Sequence, residues 1–249
     1  MHRVFAFLKV GRVKWSNADL KGTATSVEQW WTLLTEGVPP AVAAALLPPE
    51  IAQFLPGPHA SAERPVTVDA VEAVLVALSR AGRTLADLGY VTKQHTGSVA
   101  GVFHSDGGVP KSPVASAAVA ASGVVGDRQS TRKYHGRVWQ ALCVWSADVV
   151  ADLQAEGHPV FPGACGENLS VTGVDWSALR PGTRLRIGTV LAELSIPTDP
   201  CRQIRPFFAD AAIRRIDHYR HAGSARWYAT VVQPGRVAVG DRVEVEPAA

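Results

Sequence analysis

No Cys-x-x-Cys pair occurs in this chain, and its three cysteines, Cys143, Cys165 and Cys201, stand far apart. An odd, widely spaced set supports neither a disulfide framework nor a structural zinc site, and a reducing cytoplasm is the expected compartment. Long apolar runs are missing too. Nothing approaches the roughly eighteen apolar residues that span a bilayer, and Met1 to Val10 is too short a run for a signal peptide, so a soluble protein without a membrane partner is expected. Excess charge of one sign is absent: 25 basic against 22 acidic residues leave net +3, too little to argue for nucleic acid, although a single anion site stays open. No strand runs into a Gly-x-Gly-x-x-Gly turn, so no flavin or nicotinamide fingerprint is present. Pyridoxal phosphate is not expected, because it needs a Schiff-base lysine with a pyridinium partner, and Lys111, set among prolines, matches poorly.

What is present suits an ordinary globular protein, with 47% hydrophobic and 19% charged residues over 249 positions, enough for one large domain or two small ones. Residues 1–95 read as a small helical region of unassigned role. Thr25-Ser26 is placed to cap a helix through Leu34, ended by Gly37 and Pro39-Pro40. Short helical runs follow at 41–47 and 50–55, and Pro56 to Pro65 has the composition of an exposed loop. Thr67 can cap a helix over 68–81, where Val71, Val74, Leu75 and Leu78 fall at helical spacing and Gly82 is the expected stop, with a last turn at 84–88. Adjacent Trp30 and Trp31 are read as core and interface packing rather than a ligand platform. The helix-loop-helix texture permits a DNA-binding reading, but nine basic and eight acidic residues with no basic recognition helix argue against it.

From Thr96 onward the texture changes to short β-rich runs broken by Gly and Pro, at 98–104, 137–145, 184–187, 190–196, 227–232 and 242–245, which predicts a mainly β barrel or sandwich over 96–249. A helix is expected over 146–156, capped by Ser146 and closed by Gly157, and another over 208–219. The run ending at Ile196 meets Pro197-Thr198-Asp199-Pro200-Cys201, where two prolines prevent both ladder and helix and deliver the thiol on a rigid turn. Arg202 and Arg205 beside it favour a thiolate, and the alternative is a small buried side chain.

Four polar, glycine-containing stretches precede that turn: Gly107-Gly108-Val109-Pro110-Lys111-Ser112-Pro113, Gly126-Asp127-Arg128-Gln129, Tyr134-His135-Gly136 and Gly166-Glu167-Asn168-Leu169. Each joins backbone freedom to a side chain able to hold an anion or polar ligand. With the Pro-Cys turn and the closing Pro-Gly-Arg-Val-Ala-Val-Gly-Asp, they follow in an order that resembles the stand-alone bacterial members of the MOSC domain family, named for the carboxyl-terminal domain of molybdenum cofactor sulfurase. The resemblance runs from about Ser98 to Glu246. Two departures are Arg137, where a second glycine is usual, and Cys165, where an aromatic is usual.

That resemblance implies a β-barrel binding the molybdenum cofactor, a molybdopterin, with Cys201 as metal ligand or sulfur carrier. It further implies Lys111, Ser112 and Arg128 as phosphate donors, Asn168 and His135 as groups that orient cofactor or substrate, and Arg202 as a further contact to the anionic cofactor. A thiolate is a soft ligand suited to such a metal. Structural readings stay open for each: a surface lysine at 111, a local Asp127-Arg128 ion pair, a strand-end histidine at 135, a simple turn at 166–168. Cys143 is read as core, and Cys165 as small-residue filling or a pocket wall.

Three functions compete. The first is an oxidoreductase that reduces N-hydroxylated small molecules with electrons from a separate reductase. The second is a sulfur carrier receiving persulfide on Cys201 from a cysteine desulfurase. The third is a non-catalytic cofactor-binding or sensing module. A homodimer stays open.

Overall fold

The computed structural model describes residues 17–55, 68–90, 95–130 and 135–246. Helix α1 (Asn17–Leu34) begins well before Thr25-Ser26, which lie inside it rather than capping it. Gly37, at φ 77°, and Pro39-Pro40 end it as expected, and α2 (Pro40–Ala45) and α3 (Pro49–Ala52) each open on a proline whose missing N–H costs nothing there. The loop expected at 56–65 and the cap expected at Thr67 lie outside the described residues.

Helix α4 (Val68–Asp87) does not stop at Gly82 but runs through it. The glycine serves a close approach instead: a Cβ there would lie 2.0 Å from the Pro181 carbonyl oxygen. Val27, Leu34, Ile51, Val74, Leu78 and Leu85 form the apolar interior of this helical part, with Trp30 and Trp31 packed in it, and Ile196 of the barrel joins the same cluster. The helices are therefore docked on the barrel through apolar contact. Gly82→Ala in an exposed helix would stabilise by about 1 kcal/mol. Here overpacking against Pro181 is expected to outweigh that gain and destabilise by about 1–3 kcal/mol. Chemical denaturation of the two proteins measures the sign.

The strands are β1 (Thr96–His104), β2 (Ser112–Val114), β3 (Ser116–Ala120), β4 (Gly123–Val124) and β5 (Leu142–Ser146), then, after helix α5 (Ala147–Ala155), β6 (Leu169–Thr172), β7 (Arg184–Ile187), β8 (Val190–Pro197), β9 (Trp227–Gln233), β10 (Gly235–Ala238) and β11 (Arg242–Glu246). Seven of them close a ring in the order β11-β7-β8-β9-β5-β6-β1, shut by the antiparallel pairing of β1 with β11, while β2 extends from β1 and β10-β3-β4 form a small separate sheet. The fold is a mainly β barrel with peripheral helices, one of the two arrangements that the strand spacing allows and the one that the family resemblance implies. β5 and β6 pair in parallel, which requires a crossover, and α5 supplies it. Ser146 caps α5 by accepting from Val149 N, and Gly157, at φ 92°, follows it.

Two expectations are corrected. The run at 137–145 is not one strand, because Val138–Gln140 makes a 3-10 turn before β5. The helix expected at 208–219 is broken into 3-10 turns at Ala209–Ala211 and Ile213–Ile216, since Asp210 and Ala211 both take φ 54°, outside the helical region. Among the described residues no helix is long and apolar enough to cross a membrane.

Candidate functional site

Two barrel strands, β5 and β9, and the loops around them meet at a cleft of about 80 Å³. β8 ends at Pro197, and Thr198 N donates to Arg226 O at 2.8 Å, which ties the Pro-Cys turn to the start of β9. Cys201 then sits extended (φ −103°, ψ 164°) at the head of the 3-10 turn Arg202–Phe207. Its side chain caps nothing and its thiol is exposed at the cleft. On the opposite side, two indoles fix the backbone that leads into β9. Trp145 Nε1 donates to Ser224 O (2.9 Å) and Trp176 Nε1 to Ala225 O (2.7 Å), so Arg226 enters the cleft from an anchored turn.

The floor is a buried polar frame. Lys111 Nζ donates to Asp127 Oδ2 at 2.5 Å, with both side chains almost fully buried. Asn168 Nδ2 donates to the same oxygen (3.0 Å), and Ser105 N to Asp127 Oδ1 (2.9 Å). Asn168 Oδ1 in turn accepts from Cys143 N (3.1 Å), and Asn168 N donates to Cys143 O (2.7 Å). One asparagine thus joins β5, β6 and the loop carrying Asp127. Lys111 is also held by its backbone, donating to Gly163 O (2.9 Å), and a Cβ on Gly163 would come within 2.7 Å of Lys111 O. Gly163 N donates to Glu167 Oε1 at 2.5 Å, while Glu167 Oε2 has no partner and burial pushes that carboxyl up.

His135, Tyr228 and Arg226 complete the cleft. His135 Nδ1 lies 3.1 Å from Tyr228 Oη. Burial, then the charges of Arg226 and Lys111, hold this imidazole below its usual range, so it is neutral. Burial raises the Tyr228 phenol, which keeps its proton and can donate to Nδ1. Arg226 is buried, donates from Nη1 to Cys165 O and from Nη2 to Asp199 O (3.4 Å), and leaves Nε without a partner. It is a permanent cation with an uncommitted donor. Cys143 and Cys165 line the same cleft from below, but burial pushes the Cys143 thiol up to about 11 and raises that of Cys165 further.

Of the residues singled out in the sequence, Lys111, Arg128, His135, Asn168 and Cys201 converge on this cleft. Ser112 and Arg202 are not among its lining residues. Ser112 sits exposed in β2 opposite His104, and Arg202 is exposed on its 3-10 turn. The ion pair considered for Asp127 with Arg128 is instead Asp127 with Lys111. Arg226 and Tyr228 were missed: both sit in or beside a strand pattern that reads as pure packing. Cys143, read as core, is buried yet reaches the cleft floor. Among the described residues no group of three or more His, Cys, Asp or Glu could hold a metal ion.

Two histidines set a pH dependence. His218 is likewise held low, by burial and then by Arg180. The unfolded chain takes up protons near the ordinary imidazole value of about 6.5, whereas the folded chain resists until lower pH, so stability is present above that value and lost as pH falls. The melting temperature of wild type relative to His135→Gln is expected to fall as pH drops from 7.5 to 5.5, a comparison that cancels the opposite contribution of the raised Glu167 carboxyl.

The MOSC domain family matches residues 131–244. Protein YiiM of Escherichia coli strain K12 is 28% identical over 131 residues, covering 49% of this chain and 56% of that protein. The uncharacterized protein YflK of Bacillus subtilis strain 168 is 26% identical over 122 residues, covering 48% and 54%. This chain therefore spans about half the length of the curated relatives it matches. The crystal structure of the YuaD protein from Bacillus subtilis superposes with a TM-score of 0.51 at 20% identity, over 61% of this chain and 97% of that one, a likeness of fold. The matched span opens just before His135, includes Asn168, Cys201 and Arg226, and ends in the last strand of the closed barrel, so the part of this chain that matches the MOSC domain family is the part that builds the cleft.

Proposed function

We propose that this chain binds a molybdenum–pterin cofactor through Cys201 and reduces N-hydroxylated compounds, with electrons from a separate reductase. The observation that carries this reading is the exposed Cys201 thiol facing a cleft with a buried cation whose Nε is unpartnered. The donor set suits the metal end of such a group: one accessible soft thiol, a fixed positive charge, and a neutral His135–Tyr228 pair. The enclosed volume of about 80 Å³ is well below the roughly 300–1,000 Å³ of a pocket that encloses a whole ligand, so the pterin would extend along the open side of the cleft. Arg128, exposed there, is the better phosphate donor, because the charge of Lys111 is already matched by Asp127.

When bound, the cofactor would supply a metal centre that accepts the oxygen atom of the N–O bond as electrons arrive. The protein's own contribution is binding and proton placement. Arg226 balances negative charge at the cofactor, Tyr228 Oη and His135 hold a proton beside the departing oxygen, and Asn168 keeps both strands in register. The net change is R–NHOH plus two protons and two electrons to R–NH2 plus water. We place the boundary between the helical part and the barrel domain near residue 95, and the protein in the cytoplasm, where its thiols stay reduced.

Protein made in a cofactor-competent host is expected to carry about one molybdenum and one pterin per chain, and to turn over an amidoxime with a donor and reductase. Cofactor-free protein without turnover would refute the reading. The exposure of Cys201 also suits a sulfur carrier, and a mass gain of one sulfur on Cys201 after incubation with a cysteine desulfurase would favour that function.

A further inference from the structure

A second cavity, larger than the thiol cleft, is a space of about 360 Å³ between α4 and the outer face of β7, β8 and β9. That volume falls within the range of sites for small organic molecules, about 300–1,000 Å³. Its walls are the α4 stripe Ala73, Leu75, Val76 and Ser79 on one side and Val138, Trp139, Thr230 and Val232 on the other, mostly apolar. One end is charged. Arg83 Nη1 (2.8 Å) and Arg184 Nε (3.0 Å) both donate to the same oxygen of Glu193, two cations on one carboxylate. Glu193 is largely buried, and both guanidinium groups are about one-third exposed. That end therefore carries a net charge of +1. The other acid of the lining, Glu72, is eleven residues away on the same helix, or about 16 Å along its axis, at the opposite end.

We infer that this cavity is a second ligand site, for an amphipathic monocarboxylate: an aliphatic or aromatic tail between α4 and the barrel, its carboxylate on Arg83 and Arg184. The tail removes apolar surface from water along Val76, Trp139 and Val232, and the head group supplies the second anion that two arginines can share. The site is independent of the cofactor reading, yet adjoins it. Trp139, in the cavity wall, meets Tyr228 of the thiol cleft edge-on at 5.9 Å between ring centres. It also gives the helical part of the chain a task, since α4 forms half of the cavity.

Isothermal titration of the full chain with octanoate tests this, with 1-octanol and octylamine as neutral and cationic counterparts. Saturable one-to-one binding of octanoate is expected, at least about tenfold tighter than either counterpart, as a charge-assisted contact implies. Glu193→Gln is expected to tighten octanoate several-fold by freeing both arginines, an outcome that a purely structural ion cluster would not give. Ala73→Phe, at an exposed helix position, is expected to fill the cavity and abolish binding without lowering the melting temperature. Equal binding of octanol, binding unchanged by Ala73→Phe, or no saturable binding would each overturn the proposal.

Discussion

Cys201→Ala is expected to lower the molybdenum content of protein from a cofactor-competent host by at least about tenfold while leaving the fold intact. The two halves of this expectation have separate causes. Stability is spared because Cys201 is exposed, caps no helix and lies outside the barrel core, and substitutions at such positions stay within about 0.5 kcal/mol. Metal is lost because no other thiol can take over. Cys143 and Cys165 line the same cleft but are buried, and burial opposes ionisation of both, whereas the thiolate is the form that binds a metal. Loss of even a residue that merely supports a metal ligand costs about 10–100-fold in affinity, so a lost ligand costs at least that much. Metal analysis of wild type, Cys201→Ala, Cys165→Ala and Cys143→Ala distinguishes the three thiols. Molybdenum retained in Cys201→Ala, or lost only in Cys165→Ala, would overturn the assignment.

The route by which Cys201 was found also explains what stayed hidden. Proline at 197 and 200 acts through the backbone alone, so a rigid turn presenting a thiol is legible without any tertiary knowledge. The same holds for the cap and stop of α5 and for the longer strands. Gly82 misled because a glycine late in a helical pattern has two physical meanings, a stop or a close approach, and only the position of Pro181 decides between them. The strands β2, β3, β4 and β10 are built largely of Ser, Ala, Gly and Pro, whose strand character comes from their neighbours and not from their own preference. Arg226 was invisible for a related reason. A single basic residue before a β run reads as a strand end, and its importance arises from burial, from the carbonyls of Cys165 and Asp199, and from an unpartnered Nε, all tertiary facts. Lys111 and Asn168, singled out for the polar stretches that carry them, both line the cleft, and Asp127 accepts a hydrogen bond from each, a partnership that only the tertiary fold reveals.

Asp127→Asn should have the largest stability effect of any substitution near the cleft. The carboxylate accepts from Lys111 Nζ and Asn168 Nδ2 on one oxygen and from Ser105 N on the other. Asparagine keeps the shape but has a single oxygen, so in either orientation its NH2 group faces at least one of these donors. The Lys111 ammonium would then be buried without a counter-charge, and breaking a buried pair from one side costs about 3–5 kcal/mol. For a chain of this size that corresponds to a fall of roughly 6–20 °C in melting temperature. Removing the stranded charge should relieve part of it: Lys111→Met combined with Asp127→Asn is expected to be more stable than Asp127→Asn alone, a non-additivity that a double-mutant cycle reads directly. The effect should also reach Cys201, because Asn168 bonds Asp127 through its amide nitrogen and the Cys143 backbone through its oxygen, so a loosened frame shifts the cleft floor. Reduced metal loading in Asp127→Asn, with Cys201 still reactive toward a thiol reagent, is the expected signature. A loss below about 1 kcal/mol would mean that water reaches Lys111 in solution, since exposed pairs are worth no more than that.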